Sequence, residues 1–127
     1  MNQSSLSNKE RALDFLNLII TGKIREAYKK HVAQNFKHHN AYFPGDAESL
    51  MKGMEESQDN FPNKKFHTHH ALQDGEMVAV FSHVILEADK LEVGVVHIFK
   101  FNAGLIEEMW DIGQQVPADS PNDNGMF

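Results

Sequence analysis

The sequence predicts a single α+β domain, and three observations support this prediction. Apolar residues recur at helical spacing as far as Pro62, after which their period changes to two. Turn signals then separate four alternating segments, which is the pattern of an antiparallel meander. Helices followed by such a meander are typical of the α+β class. The 127 residues are enough to bury a core, so one domain is predicted over 1–127, with a polar tail from about 117.

The first helix carries signals at both of its ends. Ser7 and Glu10 have the spacing of a capping box, in which each side chain accepts from a free backbone amide of the first turn. Gly22 stands where a left-handed C-terminal cap is expected. The apolar residues between them share one helical face: Ala12, Phe15, Leu16, Ile19 and Ile20. This segment is therefore predicted to pack one face on the core.

Two further helices are predicted before Pro62. A short second helix presents Ile24, Ala27 and Tyr28 on one side. Asp46 is a candidate N-cap of the third helix. The apolar stripe of that helix consists of Ala47, Leu50, Met51 and Met54. Stripes at this spacing indicate core packing rather than contact with a cofactor.

Four strands are predicted after Pro62, over residues 64–73, 76–87, 92–101 and 105–114. Asp74-Gly75 is a strong signal for a two-residue hairpin turn. Residues 88–90 and 102–104 are predicted to form the other two turns. Four long strands in sequence form a sheet that curls, and the amphipathic helices are expected to cover one of its faces.

Composition excludes several classes of function. The net charge is −6 and no segment is rich in Lys or Arg, which disfavours a nucleic-acid partner. The absence of cysteine excludes disulfides, thiolate metal ligands and a cysteine nucleophile. The apolar run at 17–20 is too short to cross a bilayer, so no membrane association is predicted. We expect a soluble, cytoplasmic protein.

The run Glu107-Glu108-Met109-Trp110-Asp111 on the last strand contains the strongest candidate for chemistry. A carboxylate that faces an apolar cavity has a raised pKa, because burial disfavours its charged form. Such a group takes and returns a proton near neutral pH without a metal or cofactor. Asp111 is the candidate for this role. The alternative is a solvent-facing Asp at the end of a strand.

Two histidines are predicted to share a cavity with this acid. Strand alternation puts His97 in an apolar row of the third strand, and it puts His83 in a similar row of the second. Counting outward from Ala103 pairs His97 with Met109, which makes His97 and Asp111 diagonal neighbours. A buried imidazole needs a partner, which a carboxylate or a ligand would supply. The alternative for each histidine is a core residue with one hydrogen bond.

Other histidines give weaker signals. His39 and Asn40 are expected in a loop between the second and third helices. His67 and His69 share a strand face at a spacing that suits two metal ligands, and His70 follows them. The third ligand that such a site needs is missing at its expected place. A histidine-bound metal therefore remains an alternative, and the main prediction is that there is no metal and no cofactor.

Several motifs together resemble those of one family. They are Phe36-Lys37-His38-His39-Asn40, Asp74-Gly75-Glu76-Met77-Val78 with Ser82-His83, His97-Ile98-Phe99-Lys100, and Gly104-Leu105-Ile106-Glu107-Glu108-Met109-Trp110-Asp111. In order and spacing the chain resembles the SnoaL-like polyketide cyclases, which belong to the superfamily with the nuclear transport factor 2 fold. Its tail, from Val116-Pro117 to Asn122-Asp123-Asn124-Gly125-Met126-Phe127, is similar to that of bacterial members described as predicted aldol-condensation enzymes.

The resemblance implies helices packed in a cone against a curved antiparallel sheet, a pocket at the wide end, and a homodimer formed largely through the sheet. It implies that Asp111 is the general acid and base, that His97 and His39 are its partners, and that the substrate is small and largely apolar. The expected substrate contacts are His83, Asn40, Phe99, Met109 and Trp110, and Trp110 has the dimer side as its alternative direction. Close relatives often have Asp in place of His97 and His in place of Met109. A binding protein without turnover is the alternative function, because fold alone does not decide function.

Overall fold

Three helices and five strands form the part of the chain that the computed structural model describes, which is residues 6–87 and 90–127. Their order is α1 (Asn8–Ile20), α2 (Ile24–His31), β1 (Val32–His38), α3 (Ala47–Asn60), β2 (Lys65–Asp74), β3 (Met77–Glu87), β4 (Leu91–Asn102) and β5 (Leu105–Gln115). The α+β class is confirmed, and the four predicted strands begin and end within one residue of β2 to β5. None of the helices in the described part is long and apolar enough to cross a membrane.

The predicted helix ends are confirmed by their caps. The Ser7 side chain accepts from the Glu10 amide at 3.1 Å, and the Glu10 carboxylate accepts from the Ser7 amide at 3.0 Å. Asp46 accepts from the Ser49 amide at 2.8 Å and so caps α3. Gly22 has φ of +85°, the left-handed conformation expected just after α1. Local side-chain chemistry therefore sets these boundaries.

Strand β1 was not predicted, and it changes the sheet from antiparallel to mixed. The strand order is β1-β5-β4-β3-β2, with β1 parallel to β5 at one edge. β1 follows α2 directly, and Gln34 and Asn35 in its middle are exposed. The segment therefore has neither the turn signal nor the full alternation by which a strand is recognised. Its partner lies far along the chain, so no local hairpin reveals the pairing.

The sheet has an inner face that α1 and α2 cover and an outer face that they do not. The inner face carries fully buried residues from three strands: Val78, Val80, Phe99 and Met109. Phe15 of α1 packs edge-on against Phe99 with ring centres 5.9 Å apart, and it also contacts Tyr28 of α2. The core therefore lies between the helices and the inner face.

A bulge in β5 sets which of its residues face inward. The hairpin loop is Ala103-Gly104, and both residues have positive φ, as a type I′ turn requires. Phe101 pairs with Ile106 but Lys100 pairs with Glu108, so Glu107 is an extra residue. As a result, Ile106 and Met109 are both fully buried, although simple alternation predicts opposite faces.

The bulge also overturns the predicted register. His97 pairs directly with Asp111, and Phe99 pairs with Met109. The prediction that His97 pairs with Met109 is therefore wrong by two residues. One residue of this error arises because the turn is centred between Ala103 and Gly104 rather than on Ala103, and the other arises from the extra residue Glu107. The correction moves the acid and the imidazole from diagonal to opposite positions, which brings them closer together.

The polar tail contains no helix or strand, but its last two residues pack on the outer face. The Phe127 ring stacks on His83 with ring centres 4.0 Å apart, and it also contacts His69 and Phe81. Met126 lies against Gly94, where a Cβ would come within 3.0 Å of its Cε. The apolar end of the chain is thus docked on the body. Ala88 and Asp89 of the third predicted turn lie outside the described residues.

Candidate functional site

Asp111 and His97 form an acid–imidazole pair on the inner face. They are direct cross-strand partners, and His97 is 9% exposed. Asp111 Oδ1 and His97 Nδ1 are both buried and have no hydrogen-bond partner among the described residues. Buried polar atoms in native proteins are normally paired. Two unpaired atoms on neighbouring strands therefore mark a place where an ordered water or a ligand supplies the missing contacts.

Burial lowers the pKa of the His97 imidazole below its ordinary value, and the negative charge of Asp111 opposes this only in part. The ring is therefore neutral at pH 7. A neutral imidazole has one N–H donor and one acceptor nitrogen. His97 can thus donate a hydrogen bond to a ligand oxygen without carrying a charge.

Asn40 holds the other carboxylate oxygen of Asp111. Its Nδ2 donates to Asp111 Oδ2 at 3.0 Å, and its Oδ1 accepts from the Tyr42 amide at 3.0 Å. The backbone N–H of Asn40 donates to Nδ1 of buried His38, so that nitrogen is an acceptor and the ring proton is on Nε2. His38 Nε2 then donates to the Pro44 carbonyl at 2.7 Å. These contacts fix the loop after β1. The carboxylate is consequently oriented by one oxygen and free at the other.

A cavity of about 490 Å³ opens beside this pair. It is lined by His39, Asn40, Ala41, Tyr42, Val93, Val95, Asp111, Ile112, Gly113 and Gln115. Its volume lies in the range of small-molecule sites, and apolar walls with a few polar groups are typical of such sites. The cavity therefore combines a proton-transfer group with space for a substrate.

A larger depression of about 640 Å³ lies between the end of α3 and strands β2 and β3. Its charged residues include Lys65, Glu87 and Glu92, and Glu92 is held by His83 at 2.6 Å. No residue that lines it has a buried polar atom left without a partner. We therefore place the candidate site at the smaller cavity, where the unpaired polar atoms are.

Phe99 and Met109 lie under the acid–imidazole pair. Both are fully buried, and Phe99 stacks on His97 with ring centres 5.9 Å apart. Their predicted contact with substrate stays a prediction, since both are also part of the core. What the structure adds is a rigid apolar floor that holds the imidazole in place.

The structure places His39 at the rim of the cavity rather than beside His97. Its Nε2 lies 2.6 Å from Glu108 Oε2, and its ring stacks on Trp110 at 5.0 Å. Glu108 and Trp110 belong to the outer face, because they pair with Lys100 and Ile98. His39 nevertheless lines the same cavity as Asp111, and its predicted role as a donor to the substrate stays a prediction. Trp110 takes the outward direction that was its alternative.

The predicted placement of His83 beside His97 is wrong. Val80, not His83, pairs with His97, and His83 pairs with Gly94 on the outer face. Both alternating rows of β3 are apolar, so alternation alone does not say which row faces the helices. His83 instead lies 2.6 Å from Glu92 and under the Phe127 ring.

The histidines of β2 lie near His83. The ring of His67 is 6.2 Å from that of His83, and the ring of His69 is 6.3 Å from it. A bulge between Thr68 and His70 disturbs the expected alternation. In residues 6–87 and 90–127, no group of three or more His, Cys, Asp or Glu side chains is arranged to hold a metal ion.

Two residues near the site were not predicted to belong to it: Ser82 of the inner face and Tyr28 of α2. Ser82 is fully buried, and its Oγ has no hydrogen-bond partner in the described part of the chain. Tyr28 lies near Asp111, and burial together with the charge of Asp111 raises the pKa of its hydroxyl. A lone Ser in the row of Val78, Val80 and Val84 carries the same signal as His97 in its apolar row. That signal was applied only to the histidines.

The arrangement suits transfer of a proton. One carboxylate oxygen is oriented by Asn40, the other is free, and a neutral imidazole stands opposite on the next strand. A general base needs an unpaired atom within reach of the proton that it removes, and an apolar wall keeps water from competing. Asp111 has an unpaired oxygen and lines the cavity, and Val93 and Val95 are apolar residues of the same wall.

Comparison with solved structures places this fold among known ones. A nuclear transport factor 2-like protein from Cytophaga hutchinsonii is 16% identical, with a TM-score of 0.70 over 87% of this chain and 92% of its own. A candidate polyketide cyclase from Bacillus cereus is 23% identical, with a TM-score of 0.71 over 87% and 80%. A SnoaL-like polyketide cyclase from Agrobacterium tumefaciens is 12% identical, with a TM-score of 0.69 over 86% and 92%.

These similarities show that the chain has the nuclear transport factor 2-like α+β fold. The presence of SnoaL-like proteins among the matches agrees with the resemblance that the sequence motifs indicate. Comparison with protein-family models gave no match, and comparison with curated proteins gave none either. The chemistry of the site must therefore be argued from its own residues.

Proposed function

We propose that this chain is a SnoaL-like, cofactor-independent cyclase or lyase. It removes a proton next to a carbonyl group of a small, largely apolar substrate, in a reaction of the aldol type. The single observation that carries this proposal is the carboxylate of Asp111, which has one oxygen held by Asn40 and the other buried and unpaired beside His97. Candidate polyketide cyclases with the same fold support the reaction class.

The proposed reaction has two proton transfers. Asp111 Oδ1 takes a proton from the carbon next to the carbonyl, and the electron pair moves onto the carbonyl oxygen as an enolate. The N–H of neutral His97 donates a hydrogen bond to that oxygen. Preorganised donors at a developing oxyanion contribute about 3–4 kcal/mol. The enolate carbon then bonds to a second carbonyl carbon, and the new alkoxide takes the proton back from Asp111.

Asn40 and His39 have supporting roles in this proposal. Asn40 keeps the carboxylate aimed at the substrate through its bond to Oδ2. His39 anchors the loop, because its amide donates to the Met109 carbonyl at 2.9 Å and its ring is held by Glu108 and Trp110. His39 is therefore a positioning residue here, in place of the direct donor that the family resemblance implies.

The Asp111→Asn variant tests the mechanism. The change keeps the shape of the side chain and removes the base, so exchange of solvent deuterium into the carbon next to the carbonyl of propiophenone should fall at least ~100-fold. Proton NMR measures the exchange, and circular dichroism checks folding. Asp119→Asn, in the exposed tail, is the matched control and should exchange like the wild type. Equal exchange by Asp111→Asn would end the proposal.

A binding protein without turnover is the second candidate. The observation that favours it is the apolar rim of the cavity, where Ile112 is 67% exposed. Such a protein would bind propiophenone, measured by calorimetry, without incorporating deuterium at any enzyme concentration. Catalysed exchange by the wild type would exclude it.

We also propose that the chain forms a homodimer through the outer face of the sheet. The exposed Ile112 and half-buried Trp110 of β5 are apolar side chains on or near that face. Sedimentation equilibrium should give about twice the mass of the 14.4 kDa chain. A mass near that of one chain at micromolar concentration would contradict the dimer.

A further inference from the structure

Ser82, His97 and Asp111 form a continuous polar line across three strands of the inner face. Asp111 is directly opposite His97, and Ser82 is diagonal to His97 because Val80 is the direct partner of His97. Each of the three has one buried side-chain atom without a hydrogen-bond partner in the described structure: Ser82 Oγ, His97 Nδ1 and Asp111 Oδ1. Together with His31 Nδ1 and Gln58 Oε1, these are the buried side-chain atoms without partners in residues 6–87 and 90–127.

The Asp111 end of this line reaches the cavity. Val95 and Asp111 line the cavity, and their direct partners on the neighbouring strands are Ser82 and His97. Ser82 and His97 are not lining residues themselves. The line begins at the cavity with Asp111 and continues on the same face of the sheet to Ser82, which is the direct strand partner of the lining residue Val95. The residues around Ser82 in its row, Val78 and Val80, are fully buried and supply no polar group.

The position of Ser82 has a consequence for stability. A buried hydroxyl without a partner carries a desolvation penalty, and its removal is neutral or stabilising when the site is otherwise apolar. A valine at position 82 would continue the row of valines on β3 and would carry no such penalty. A ligand oxygen in contact with Ser82 Oγ would supply the hydrogen bond that the free protein lacks.

We infer that Ser82 binds a second oxygen of the substrate, so that the site accepts compounds with two oxygens, in the class of hydroxycarbonyl or dicarbonyl compounds. This inference rests on the proposed function for the first oxygen, which is the carbonyl next to His97. Diagonal strand neighbours lie about 7–8 Å apart. The second oxygen therefore lies several bonds from the first, as a para hydroxyl lies from the carbonyl of an aryl ketone.

Two probes that differ by one hydroxyl test this inference. Calorimetry measures the Kd of propiophenone and of 4′-hydroxypropiophenone for the wild type and for Ser82→Ala. The wild type should prefer the hydroxylated probe about 3- to 10-fold, which is the effect of one net hydrogen bond. Ser82→Ala should lose this preference and bind propiophenone as the wild type does. An unchanged preference, or no binding of either probe, would overturn the inference.

Thermal unfolding provides a second readout that does not depend on the ligand. Ser82→Ala should unfold a few degrees above the wild type, because it removes an unpaired buried hydroxyl. A lower melting temperature would show that the hydroxyl is satisfied within the protein, by an ordered water for example, and would overturn the inference. Ser120→Ala, in the exposed tail, is the control and should match the wild type in both measurements.

The two proposals fail in different ways. Lack of deuterium exchange with preserved, Ser82-dependent preference for the hydroxylated probe would refute the catalytic function and keep the second contact. Exchange that depends on Asp111 but is equal for the two probes and for Ser82→Ala would keep the function and refute the role of Ser82.

Discussion

Stability should fall as the pH is lowered below about 6.5, and His97 should account for a defined part of this loss. Burial lowers the pKa of His97, and burial also lowers that of His31 in spite of its bond to Asp14. In the unfolded chain both rings have the ordinary value of about 6.5. The unfolded state therefore binds more protons below that pH, so the contribution is complete above about pH 6.5 and is lost as the pH falls.

The size of the effect follows from proton counting. About one pH unit below 6.5, an unfolded histidine carries about 0.9 of a proton, while a buried ring that stays neutral carries none. One such residue therefore changes the free energy of unfolding by at most about 1.2 kcal/mol per pH unit. The carboxylates whose pKa values are lowered by hydrogen bonds, such as that of Glu108, lose their contribution at lower pH, so the two windows are separate.

Urea unfolding of His97→Gln and the wild type between about pH 5.5 and 7.5 measures this quantity. The slope of unfolding free energy against pH should be shallower in the variant by up to about 1.2 kcal/mol per pH unit below 6.5. His70→Gln, at an exposed position of β2, is the control for loss of an imidazole from the surface. Equal slopes for His97→Gln and the wild type would refute the claim that the fold keeps His97 neutral.

Two further predictions concern the loop and the tail. Asn40→Ala should lower deuterium exchange about tenfold or more, because Asp111 loses the donor that orients it, a charge-assisted bond of about 1.5–3 kcal/mol. Phe127→Ala should lower the melting temperature by a few degrees, since the ring stacks on His83 and such an aromatic contact contributes about 0.5–1.5 kcal/mol. NMR exchange and scanning calorimetry, respectively, check these outcomes.

Each of these two predictions has a control variant and a result that would refute it. Asn122→Ala removes an amide from the exposed tail and should leave exchange unchanged. Wild-type exchange by Asn40→Ala would mean that the carboxylate needs no orientation from the loop. Leu72→Ala removes a large exposed side chain from β2 and should leave the melting temperature nearly unchanged. An equally small effect of Phe127→Ala would mean that the tail does not hold its place on the sheet.

The parts of the fold that depend on local signals were predictable. Helix caps at Ser7 and Asp46, the glycine after α1 and the four alternating strands all express contacts within a few residues of one another. Strand β1 was missed because its pairing with β5 joins distant segments, and its middle is polar and exposed. Pairing of this kind leaves no pattern within the segment itself.

Prediction of the site was limited by register and by the choice of face. Asp111, His97 and Asn40 were named as site residues, and they lie close together in the structure. His83 was assigned to the wrong face because both rows of β3 are apolar, so hydrophobicity does not distinguish them. The inner-face position of Ser82 could not be predicted either, because the same two apolar rows of β3 are indistinguishable by sequence. Only the strand pairing resolves this choice.

The extra residue Glu107 has a consequence for the comparison of this chain with its relatives. The side of the sheet that an acid occupies depends on whether the number of residues between the turn and the acid is odd or even. A protein with the same residues around its acid but one residue fewer after the turn would place the Asp on the outer face and the Trp on the inner face. A catalytic role can therefore be transferred between such proteins only if two conditions hold. The motif residues must match, and the number of residues between the turn and the acid must be odd in both proteins or even in both.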